Sequence, residues 1–172
     1  LMVTAVSGNH HRLDFMIGPS KALDPEKYFI VCTDAIANGF TTSPSNSKLQ
    51  PRMQFPKFSI RDMVESQYRL MKEKLGIDHV VAVVGPSMGG MQTLQWGVSH
   101  PDFMDVLVAI VPLAKTPGWT VAVLEASRKA IMTDPAWKDG NYETPPEKGV
   151  RLWRDILNPV SYTHLTLPTI LR

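Results

Sequence analysis

Residues 81–91, "VAVVGPSMGGM", run four apolar positions into Gly85-Pro86-Ser87-Met88-Gly89, after which apolar residues recur at helical spacing. A short apolar run of this kind suits a buried strand, and the glycines mark a tight turn into the following helix. Side chains at Gly85 and Gly89 would collide with the neighbouring strand and helix, and Gly90 adds a further position without one. A serine at the apex of such a turn stands above the edge of the sheet. The helix N-terminus beyond it directs free N–H groups to the same spot, so the backbone of Met88 can hold a developing oxyanion. Ser87 is therefore a candidate nucleophile; the alternative is a serine that serves only the turn. The G-x-S-x-G spacing is common by chance, and the strand, turn and helix around it carry the argument.

Outward from this point the same alternation repeats. "LMVTAV" and "KYFIVCTDA" are short apolar runs ending in turn residues, and "DVLVAIVPL" is another. Ser59 with Asp62 predicts a capping box, followed by a helix whose face is Ile60, Met63, Val64, Met71 and Leu75, ended by Gly76. Alternating strands and helices with continuous apolar strands predict an α/β fold with a parallel sheet covered on both faces. Residues 34–57 form a long polar stretch rich in turn residues, of the kind that lines a site or moves, or is only a solvated loop. From Thr116 the chain turns helical, with Val121 to Met132 as one helix, a break at Pro135 and "DGNYETPPEKG", and a new helix at "VRLWRDIL". The final stretch, "PVSYTHLTLPTILR", has no clear period and looks like adapter-derived read-through.

Composition restricts the partners. Of 172 residues, 18 are basic and 16 acidic without long runs, giving a net charge of +2. That balance offers no electrostatic case for nucleic acid or an anionic membrane. The single Cys32 lies in an apolar run, which argues against disulfides and structural zinc and for a buried inert thiol. No signal peptide and no apolar run of membrane-spanning length are visible, so a cytoplasmic protein is expected. The first residue is not Met, which suggests an N-terminus other than the natural start.

A serine mechanism also needs a histidine to take the hydroxyl proton and a carboxylate to orient it. His100 lies thirteen residues along the helix from Ser87, about 20 Å at 1.5 Å per residue, too far to act as base. His10 and His11 sit on the loop after the first strand, where a substrate contact or solvation is expected. His79 precedes its strand at the opposite end of the sheet, and His164 falls in the final stretch. A second oxyanion donor is expected from the loop "VTAVSGNHH", with the N–H of Val6 the best placed because the chain turns away at Ser7-Gly8; a plain strand-to-loop turn is the alternative.

"IGPSKALDPEKYFIV", "FSIRDMVESQYRLMKEKLGI", "VVGPSMGGMQTLQWGVSHPD" and "RKAIMTDPAW" together resemble the homoserine O-acetyltransferase family of α/β-hydrolase-fold enzymes, over roughly residues 5–157. Pro86 stands where that family usually has Gly, and "NGFTTSPSN" is similar to a sister branch known only as α/β-hydrolases. The resemblance implies an α/β-hydrolase fold: a partial parallel sheet with helices on both faces, a core at 1–114, a helical lid at 115–158 and a doubtful tail at 159–172. It implies transfer of acetyl from acetyl-CoA to a hydroxyl such as that of homoserine, through an acyl-serine, in methionine biosynthesis. Ser87 is then the catalytic nucleophile, Val6 and Met88 the backbone oxyanion donors, and Arg154 a lid arginine for the substrate carboxylate or else a surface arginine. Acetyl-CoA enters as co-substrate, with no metal or tightly held cofactor, and a homodimer through the lid is a family habit. The family places its acid and histidine on later strands, which this chain does not carry. Two further readings follow: a serine esterase on the same scaffold, and a catalytically incomplete fragment with at most stoichiometric reactivity at Ser87.

Overall fold

The computed structural model describes residues 1–6 and 8–161. They form two compact units, one spanning Leu1–Ala114 and the other beginning at Lys115. In the first, the strands are β1 (Met2–Val3), β2 (Cys32–Thr33), β3 (Val80–Pro86) and β4 (Met104–Ile110), and the helices are α1 (Ile60–Arg69) and α2 (Met88–Ser99). The sheet is parallel throughout, in the order β2-β1-β3-β4. Parallel neighbours need crossover connections, and the strand-to-helix alternation of the sequence supplies them.

β3 and β4 are the long pair, in register from Val80 opposite Met104 to Pro86 opposite Ile110. β1 and β2 are two residues each, shorter than their apolar runs suggested. The chain leaves the ladder at Thr4 and Asp34, whose polar groups take up other hydrogen bonds instead. The core beneath the sheet gathers Val3, Val64, Met71, Val83, Trp96, Phe103 and Met104. α2 lies so close to this face that a Cβ on Gly97 would fall 2.5 Å from the Leu107 side chain. Val106 and Val108 point to the other face, where they stay 49% and 41% exposed. There Met2, Met16, Leu23, Val84 and Val108 line part of a cavity of about 500 Å³.

α1 opens on the expected capping box: Ser59 Oγ accepts the Asp62 N–H and the Asp62 carboxylate accepts the Ser59 N–H. Its last turn, Leu70–Lys74, widens into a π-helical turn in which the Leu75 N–H reaches Leu70 O, and Gly76 at φ 64° turns the chain away. The buried face therefore ends at Met71, and Leu75, expected on it, is 46% exposed. Between β1 and β2, where the sequence placed His10 and His11 on a loop, a 3₁₀ helix covers His10–Met16, capped by Asn9.

The second unit holds α3 (Gly118–Met132), a 3₁₀ segment at Pro135–Gly140 and α4 (Glu147–Ser161). α3 begins three residues earlier than its apolar spacing indicated. α4 runs three residues into the stretch that looked aperiodic. Asp134 caps the 3₁₀ segment through the Ala136 N–H and also accepts the Gly149 N–H at the start of α4. Gly149 lets the two helices approach, since a Cβ there would sit 2.8 Å from Ile131 Cα.

Candidate active site

Ser87 joins β3 to α2 at φ 54°, ψ −119°, a conformation costing about 1–3 kcal/mol for a residue with a Cβ. The surroundings hold it there. Its N–H donates to Ile110 O on β4 at 2.9 Å, and its carbonyl accepts the Met91 N–H at 3.1 Å. A Cβ on Gly85 would lie 2.5 Å from Gly89 backbone and 2.6 Å from Val3; one on Gly89 would lie 2.5 Å from Val3 O. These contacts give the physical reason for the glycines read from the sequence. Ser87 is half-buried at the head of α2. Met88 is the first helical residue, and N–H groups of a first turn have no partner inside their own helix. A second strained position, Val111 at φ 44°, follows β4 directly and was not signalled by the sequence.

The end of β1 meets this turn. Gly89 packs against the carbonyls of Val3 and Thr4, and Gly8 N–H donates to Ala5 O across the turn that contains Val6. Ser7 lies outside the described residues; Val6 is 58% exposed. Below the turn, three buried side chains that sequence reasoning passed over form a hydrogen-bonded line. Gln92 Nε2 donates to Thr4 O at 3.0 Å, Gln67 Nε2 donates to Gln92 Oε1 at 2.7 Å, and Trp96 Nε1 donates to Gln67 Oε1 at 2.9 Å. The available signal was two glutamines on the buried faces of helices, where a polar side chain needs a partner.

The histidines take separate places. His10 is paired with Asp34 twice: its N–H reaches Oδ1 at 2.9 Å and its Nδ1 reaches Oδ2 at 2.7 Å, while Asn38 also donates to Oδ1. His11 pairs with Asp14 at the surface. His79 sits between Asp102 O and Asp105. His100 stacks on Tyr68 at 3.8 Å at the far end of α2, 3.4 Å from Glu65. None of these rings is hydrogen-bonded to Ser87; His164 lies outside the described residues. Arg154 is exposed on α4, its guanidinium 3.2 Å from Asp155. Burial pushes the Cys32 thiol above its ordinary pKa, with Asp14 adding to the effect. Among the described residues, no three His, Cys, Asp or Glu side chains are grouped to hold a metal ion, and no helix is long and apolar enough to cross a membrane.

The sequence profile of the alpha/beta hydrolase fold matches residues 7–165. The chain is 41% identical over 151 residues to a homoserine O-acetyltransferase of Methanosalsum zhilinae, covering 83% of this chain and 30% of that one. A homoserine O-acetyltransferase of Carboxydothermus hydrogenoformans is 41% identical over 152 residues, covering 83% and 39%. Among solved structures, an acetylester hydrolase from Corynebacterium glutamicum superposes with a TM-score of 0.91 at 30% identity, over 98% of this chain and 50% of that one. The homoserine O-acetyltransferase from Bacillus anthracis gives 0.82 at 31% identity, over 91% and 49%. The chain thus spans well under half the length of these curated relatives and about half of the structures. The profile match and the parallel sheet with its strained strand-to-helix serine agree, and the chain belongs to the α/β-hydrolase fold family.

Proposed function

We propose that residues 1–161 carry the nucleophile and oxyanion half of an acyl-transferring serine site of the homoserine O-acetyltransferase kind. The observation that carries the reading is Ser87 held at φ 54° at the head of α2, with the end of β1 packed against it. In this mechanism Ser87 Oγ attacks the thioester carbonyl of acetyl-CoA, and the oxyanion is held by the N–H groups of Val6 and Met88. Collapse expels CoA, whose sulfur takes up the proton lost from the serine hydroxyl, and leaves acetyl-Ser87. The hydroxyl of an acceptor such as homoserine then attacks this ester, its proton passes to the departing serine oxygen, and the O-acetyl product forms. Arg154 is assigned to the acceptor carboxylate. This reading places the protein in the cytoplasm, in methionine biosynthesis.

A second reading, a serine esterase in which water takes the acceptor's place, draws support from the likeness to the acetylester hydrolase. Acetyl release from an activated acetyl ester by a full-length relative, with and without homoserine, separates the two. The transferase reading expects O-acetylhomoserine to form and release to accelerate with acceptor, both abolished when the relative's serine matching Ser87 is replaced by alanine. Release indifferent to homoserine contradicts it.

A further inference from the structure

The line of buried amides under Ser87 has a direction that its two ends determine. Thr4 O can only accept a hydrogen bond and the Trp96 indole N–H can only donate one. Gln92 must therefore turn its NH₂ toward Thr4 and its oxygen toward Gln67, and Gln67 must turn its oxygen toward Trp96. Every group then has a partner, as burial demands: Gln92 and Trp96 are fully buried and Gln67 is 3% exposed. The NH₂ of Gln92 also reaches Met88 O at 3.4 Å.

One amide thus touches both segments that carry the proposed oxyanion donors: Thr4, two residues before Val6, and Met88 itself. Those segments come from different elements, β1 and α2, and an oxyanion hole works only if its two N–H groups keep a set separation. We infer that Gln92 is a positioning residue, fixing the turn after β1 against the first turn of α2 so that the Val6 and Met88 N–H groups converge above Ser87. Gln67 and Trp96 hold its amide in the one orientation that does this. The inference rests on the proposed role of Ser87.

The test uses the full chain and an alkyl fluorophosphonate, with the label located by peptide mass. Failure to label Ser87 in the unaltered chain contradicts the nucleophile reading, and the inference falls with it. With Ser87 labelled, Gln92→Met removes the donor at similar volume and is expected to slow labelling about tenfold or more at every pH. Gln92→Glu is the sharper variant. Its protonated carboxyl offers an O–H where the amide offered NH₂ and a C=O to Gln67, whereas its ionised form offers Thr4 O no donor. The labelling rate of Gln92→Glu relative to the unaltered chain is therefore expected to climb toward one as pH falls, and to drop as the carboxyl ionises. A flat ratio, or an unaltered rate in Gln92→Met, overturns the proposal. If Gln92→Met does not fold, shown by amide exchange in 104–110, the pH profile of Gln92→Glu decides alone; failure of both to fold assigns the amide a structural role and overturns it too.

Discussion

Ser87 is held against its own conformational preference, at φ 54° between β3 and α2. Substituting glycine relieves the positive φ, whereas alanine keeps the strain. Ser87→Gly is therefore expected to be more stable than Ser87→Ala by about 1 kcal/mol in denaturant melts, with both unreactive. Equal stabilities would mean that the turn stores no strain. Gly89→Ala sets a Cβ 2.5 Å from Val3 O, a backbone atom that cannot swing aside. It is expected to cost about 1–3 kcal/mol and to slow acylation of Ser87, since it wedges α2 away from β1. At this scale the serine and its glycines were legible because their chemistry is local. Gln92, Gln67 and the His10–Asp34 pair were not, because their meaning comes from partners 24 to 88 positions away.

The elements repeat that division. The capping box of α1 joins residues three apart and could be read directly. Asp62 is held below the usual carboxylate range first by the Ser59 hydroxyl and then by the Ser59 backbone N–H. A depressed folded-state pKa means that this contribution is complete above the ordinary Asp value and is lost as pH falls through the lower folded value. Ser59→Ala is expected to destabilise the chain at neutral pH through loss of the cap, with the gap to the unaltered chain narrowing in acid melts. A constant gap down to strongly acidic pH would show that Asp62 takes no part. The 3₁₀ helix at His10–Met16 and the π-turn at Leu70–Lys74 escaped prediction, since neither has an apolar period distinct from that of a turn or an α-helix. β1 and β2 contracted to two residues each because strand bounds depend on what the neighbouring strand offers, which no single run contains.

For the molecule as a whole, alternation of apolar runs and helices was enough for a parallel α/β fold, while the extent of its covering was not legible. Val106 and Val108 on β4, itself a sheet edge, are 49% and 41% exposed, as is 56% of Val81 on β3. Apolar strand surface of this kind promotes association. The 172-residue chain is expected to self-associate in light scattering as its concentration rises, and Val106→Lys with Val108→Lys to reduce this. Scattering that is independent of concentration would show the face to be innocuous.

The proposed acyl transfer requires Ser87 to take up an acyl group, and that group can be trapped. The chain is incubated with an activated acetyl ester, quenched in acid and mapped by peptide mass. One acetyl group is expected on the peptide containing Ser87, and none in Ser87→Ala. Acetyl distributed over surface lysines, or an identical pattern in Ser87→Ala, would contradict it.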